Sequence, residues 1–166
     1  MAKLTQSPLI TGSSASLSVE LEVLPSSTPG ARSTSLKARF YFGPRLVLEM
    51  ESGISLDLAR EPLEWLESGV KTRIKHRTCS FSDFDTPHVL VIDQYRLPDN
   101  EFKDIQAELG KDVFAIPFLY DINVLVNPEP ETLGYCGLGM RLSGFSYVEL
   151  HDFLIQLDAD VKAALK

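Results

Sequence analysis

Apolar side chains recur at every second position through much of this 166-residue chain. Leu17, Val19, Leu21 and Val23 alternate with Ser18, Glu20 and Glu22. Successive side chains of a β-strand point to opposite faces, so a period of two marks a strand with one buried and one wet face. The same rhythm runs through Leu36, Ala38, Phe40 and Phe42, interleaved with Lys37, Arg39 and Tyr41. Gly43-Pro44 is a turn pair, after which Leu46, Leu48 and Met50 resume the buried face, so a hairpin is expected. Further strands are expected over 71–79 and 88–97. "VFAIPFL" and "INVLV" read as two neighbouring buried strands, and "YCGLGMRL" as a last one.

Three stretches have helical spacing instead. In "SLDLAREPLEWLESG" Pro62 suits a first helical position and Gly69 a C-terminal stop. "PDNEFKDIQAELG" has Asp99 as a candidate N-cap and an apolar stripe of Phe102, Ile105 and Leu109. Ser146 and Glu149 have the spacing of a capping box ahead of a final helix. The fold class expected is therefore α+β: a mixed, mainly antiparallel sheet of about eight strands with three helices, mostly on one face. Residues 1–15, rich in Ser, Thr and Gly, read as a flexible N-terminal tail, and 16–166 as a single globular domain large enough for a real core. No internal repeat is visible.

Sixteen basic against twenty-three acidic side chains give a net charge of −7. That opposes non-specific nucleic-acid binding by the molecule as a whole. No apolar run is long enough for a membrane helix. No secretory leader is visible, and two cysteines, Cys79 and Cys136, make no disulfide framework, so a cytoplasmic location with free thiols is expected. The sequence leaves the oligomeric state open.

The segment "KTRIKHRTCSFSDFDTPH", residues 71–88, concentrates reactive residue types: His76, Cys79, Asp83, Asp85 and His88. A cysteine nucleophile needs a base within hydrogen-bond reach. Three positions apart on a regular strand, His76 and Cys79 point to opposite faces. Zinc-ligand spacings are absent, and the two aspartates lack the glycine and glutamate of a calcium loop. The "GLGMRLSG" stretch misses the dinucleotide spacing. Asp93 closes an apolar run but has no partner motif. No catalytic residue, cofactor or metal is expected from these patterns.

One feature stands out. The wet faces assigned by alternation carry Lys37, Arg39, Tyr41 and Arg45 from the hairpin, and Lys71, Arg73, Lys75 and Arg77 at two-residue spacing. Opposed to them are Glu20, Glu22 and Glu49, with Glu51 a further candidate. Cross-strand ion pairing is the plain explanation, since each exposed pair is weak and edge strands favour cations. The functional expectation is a non-catalytic interaction domain of adaptor, inhibitor or immunity type, using that cationic face to engage an acidic partner protein. The alternative is a small cysteine-dependent or hydrolytic enzyme centred on Cys79, His76 and His88. A second alternative is a nucleic-acid-binding module on the same basic face, disfavoured because Tyr41 is its one aromatic.

Overall fold

The computed structural model describes residues 1–6, 16–28, 30–70, 74–82, 88–126 and 138–166. The chain begins with four strands, β1 (Ala2–Thr5), β2 (Leu17–Val23), β3 (Ser33–Phe42) and β4 (Arg45–Ser55). They form an antiparallel sheet in chain order. Helix α1 (Leu56–Gly69) follows. A second antiparallel sheet has the order β5 (His76–Ser82), β6 (His88–Arg96), β7 (Phe118–Val126) and β8 (Leu138–Phe145). Helix α2 (Asp99–Leu109) interrupts it between β6 and β7, and α3 (Tyr147–Ala164) ends the fold.

The protein is thus α+β with eight strands and three helices among the described residues. The expected single mixed sheet is corrected to two purely antiparallel ones. Apart from α2, the topology is four strands and a helix, twice over. Nothing in the sequence repeats, because the two halves share connections rather than side chains.

Both halves turn from strand to helix by the same device. Ser55 caps α1, its hydroxyl accepting from the Leu58 amide at 3.1 Å. Ser146 caps α3 with a full capping box: its hydroxyl accepts from the Glu149 amide at 3.2 Å, and the Glu149 carboxylate accepts from the Ser146 amide at 2.8 Å. These bonds satisfy amides that the first helical turn leaves unpaired. A buried apolar residue precedes each cap, Ile54 in one half and Phe145 in the other.

One hydrophobic cluster joins both sheets. Val19, Leu21, Ala38 and Phe40 enter it from the first sheet, and Ile92, Tyr120, Ile122 and Leu142 from the second. Leu66 of α1 and Leu150, Leu154 and Leu157 of α3 complete it. Each such Leu or Phe side chain removed from water contributes about 1.5–3 kcal/mol before conformational entropy is set against it. α1 and α3 pack on each other, α3 also against β1, β2 and β7, and α1 against β4 and β5. α2 belongs elsewhere. Its Phe102 and Ile105 pack with Leu97, Phe114 and Leu119 in a separate cluster. Leu119 alternates with core-facing Phe118 and Tyr120, so α2 lies on the opposite face of the second sheet. Gln6 ties the sheets together, its side-chain amide donating to the Ser143 carbonyl at 2.9 Å.

Four local expectations are corrected. Residues 2–5, assigned to a loose tail, form β1, with Ala2 and Leu4 buried. Pro62 lies inside α1, not at its start, because Ser55 opens the helix seven residues earlier. The strand expected over 71–79 begins at His76. Residues 111–113 form a turn, so "VFAIPFL" and "INVLV" yield one strand, Phe118–Val126.

Candidate interaction surface

The wet face of the first sheet is a charge lattice set by strand register. Lys3, Glu20, Arg39 and Glu49 stand opposite one another on β1 to β4, and Glu22, Lys37 and Glu51 form the next row. The Lys3 ammonium donates to Glu20 at 2.7 Å. Arg39 is shared: its Nε lies 2.7 Å from Glu49 Oε2 and its Nη2 2.8 Å from Glu22 Oε2. Hydrogen bonds from these cations hold the carboxyls of Glu20 and Glu49 below the usual carboxylate range. Lys37 and Arg39 therefore face acids of their own sheet. Tyr41 stands in the same face beside Glu20, and burial, then its hydrogen bond to Glu20, raises its phenol above the ordinary value.

Arg45 is placed differently. It opens β4 beyond the lattice and makes no ion pair among the described residues. Around it are Phe42, Leu46 and Val47, 52%, 46% and 57% exposed. Gly43 takes φ +57°, the left-handed region that glycine adopts without strain, and Pro44 follows it in the tight turn. The pairing slips between Phe40 and Tyr41, which face Leu48 and Leu46, so Val47 is an extra residue on β4. A bulge of this kind twists a strand and turns its side chains outward. Leu17, Phe42, Arg45, Leu46 and Val47 line a cavity of ≈400 Å³ with Met140 of β8. Apolar side chains this exposed, grouped at one hairpin with one cation, form the most distinctive patch among the described residues.

The other expected cations lie elsewhere. Lys75 is exposed, and its carbonyl accepts from the Arg96 amide at 2.8 Å. Arg77 shares its strand face with Cys79 and buried Phe81, the face that meets α1. Its guanidinium stacks on Trp65 and approaches the Trp65 carbonyl (3.4 Å) and the Ser68 hydroxyl (3.5 Å). α1 has no basic residue in its own last turn, so Arg77 supplies the positive charge that a helix C-terminus attracts. Lys71 and Arg73 lie outside the described residues. The described members of the set of eight thus divide among the lattice, the hairpin tip, the exposed approach to β5 and the face of β5 that meets α1.

Cys79 packs against the core, while His76 is exposed on the other face of the strand. The side chain of His88, and all of Asp83, Asp85 and Cys136, lie outside the described residues. His151 spans α1 and α3, with its Nε2 3.4 Å from Glu67 and its ring stacked on Tyr147. Among the described residues no three His, Cys, Asp or Glu side chains cluster as metal ligands, and no helix is long and apolar enough to cross a membrane.

The second sheet carries a polar cluster that alternation alone did not reveal. Asp121, 4% exposed, accepts from the Tyr95 hydroxyl at 3.2 Å, from Arg141 Nη2 at 2.5 Å and from the Gly144 amide at 3.0 Å. Tyr120 and Ile122 face Phe145 and Leu142, so Ser143 and Gly144 form a bulge opposite Asp121. Gly144 has φ +82°. The carboxylate thus satisfies an amide that the bulge removes from the ladder. Opposite it in register, Asp93 accepts from Thr78 at 2.6 Å and Asn123 at 3.4 Å. Asp93 was noted in the sequence but not its partners, which come from the two flanking strands, β5 and β7. Every contact of Asp121 has a structural purpose, so the cluster reads as a brace for the sheet.

No family model matches the chain, and no curated protein matches its sequence.

Proposed function

We propose that the chain is a non-catalytic protein-interaction domain whose docking surface is the β3–β4 hairpin. The observation that carries this reading is the exposure of Phe42, Leu46 and Val47 beside Arg45, which makes no ion pair among the described residues. Apolar groups of this size on a surface favour burial against a partner. The expectation of an acidic partner narrows to Arg45, because Arg39 is bonded to Glu22 and Glu49, Lys37 stands in register between Glu22 and Glu51, and Arg77 serves α1. A carboxylate on the partner would meet Arg45 at the rim of the cavity. The enzyme alternative has less support: Cys79 and His76 stand on opposite faces of β5, out of the mutual reach that a thiolate and its base require.

The test is affinity capture of partners by the tagged chain, run beside a variant with Phe42→Ser, Leu46→Ser and Val47→Ser. None of the three side chains is in the core, so the variant is expected to keep its fold, with circular dichroism as the check. Loss of a discrete captured protein in the variant supports the reading. An unchanged set of captured proteins contradicts it.

A further inference from the structure

Sheet edges invite additional strands, and proteins protect them with short strands, cations, prolines or covering elements. The four edges here differ. β1 is only four residues long and has α3 against it. β5 is flanked by Lys75 and carries Arg77. β8 carries Arg141. β4 is the longest strand, eleven residues, and no described strand pairs with its outer side. Beyond Arg45 it contains no cation and no proline. Its bulge protects only the end near Leu46 and Val47.

The charge lattice says what would fit there. Across the sheet the first row runs Lys3 (+), Glu20 (−), Arg39 (+), Glu49 (−). The second runs Glu22 (−), Lys37 (+), Glu51 (−). Both rows alternate strictly in sign, and both end on a carboxylate at the free edge. Glu49 and Glu51 are both exposed. Between and beside them Leu48 and Met50 turn toward the other face, where they pack against the core. A fifth strand continuing this lattice would place cations opposite Glu49 and Glu51 and apolar residues opposite Leu48 and Met50. Like charges directly opposite would be unfavourable.

We infer that the β4 edge receives an extended segment of a partner protein with the pattern apolar–basic–apolar–basic–apolar, added as a fifth strand. Main-chain hydrogen bonds supply affinity in this mode, and the alternating side chains supply selectivity. The inference rests on the interaction reading above and gives that partner a basic strand. A carboxylate for Arg45 would then lie where that strand passes the hairpin tip.

The probe is a capped peptide, Thr-Val-Lys-Val-Lys-Leu-Ser, compared with the same peptide carrying Glu for both Lys. Binding is read from backbone amide shifts of the labelled chain. The Lys peptide is expected to shift amides within 46–53 and to bind about ten-fold more tightly than the Glu peptide, from two favourable pairs exchanged for two repulsive ones. In the Glu49→Gln, Glu51→Gln variant, with melting checked to confirm its fold, the preference should fall to about two-fold or less. Equal binding of both peptides, shifts mapping away from β4, or no binding would overturn the inference. So would a dimer of the free chain joined through β4, because the occupant would then be a second copy. Loss of capture by the hairpin variant together with no Lys preference would leave the interaction reading standing and remove this one. Unchanged capture by the hairpin variant together with a clear Lys preference would remove the hairpin as the docking surface and keep the β4 edge as the site of interaction.

Discussion

The guanidinium carbon of Arg77 lies 4.3 Å from the centre of the Trp65 ring, and this contact fastens the last turn of α1 to the edge strand β5. A cation over an indole face is worth about 0.5–2 kcal/mol, depending on its desolvation. Arg77→Met keeps the apolar stem but removes the charge and the contact with the Trp65 carbonyl. It should cost about 1–2 kcal/mol of stability. Trp65 is the chain's only tryptophan, so its emission should also shift. Denaturant titration followed by fluorescence measures both; an unchanged midpoint would mean the stack contributes nothing.

Gly69 belongs to the same joint. A Cβ there would lie 2.2 Å from Arg77 Nη1 and 2.7 Å from Gln94 Oε1. The guanidinium is the far end of a flexible side chain, but Trp65 holds it in place. Gly69→Ala should therefore destabilise by about 1–2 kcal/mol, as overpacking does. The penalty should shrink in an Arg77→Ala background, where the obstacle is gone. A double-mutant cycle reads this coupling, and strict additivity would show that the two residues do not compete for the same space.

Asp121 and Arg141 should respond unequally. Asp121→Ala leaves the buried Gly144 amide and the Tyr95 hydroxyl without their acceptor and should cost about 3 kcal/mol. Arg141, whose side chain is 60% exposed, can turn to water when its partner is lost. Arg141→Gln should cost less than about 1 kcal/mol. Chemical unfolding of the two variants checks the asymmetry, and equal costs would contradict the bulge-bracing role.

Tyr95 gives a pH signature. Burial, and then the neighbouring Asp121 carboxylate, push its phenol up to about 12. In the unfolded chain it ionises near the ordinary tyrosine value of 10.0. The native state therefore keeps a proton that the unfolded state releases. The resulting stability is fully present below pH 10 and is lost as pH rises toward about 12. The free energy of unfolding, measured from pH 9 to about pH 12, should fall less steeply for Tyr95→Phe than for the parent chain. Identical slopes would place the Tyr95 phenol near its ordinary value.

Much of the strand and helix content was legible because it depends on local periodicity. Leu17, Val19 and Leu21, Ala38 and Phe40, and the Ser146–Glu149 box all sit in the elements that their spacing implied. β1 was missed because Ala2 and Leu4 offer only two alternating positions, and their burial comes from β2 and α3. Pro62 pointed to the wrong helix start, since a proline's missing amide is tolerated inside α1 while a serine seven residues earlier supplies the cap. Alternation assigns each residue a side of its strand, but not the sheet that the strand joins. For that reason Arg77 was grouped with Lys37 and Arg39, although it faces a helix from the other sheet. Cross-strand pairing was expected, but which residues share a row, Lys3–Glu20–Arg39–Glu49 and Glu22–Lys37–Glu51, is a property of register between distant segments.

Docking as proposed requires above all that the hairpin and the free edge of β4 form one surface. Amide hydrogen exchange of the chain, alone and saturated with its captured partner, tests this directly. Slowed exchange confined to residues 42–53 is the expected result. Protection on α2, on β8 or anywhere else with 42–53 unchanged would contradict it.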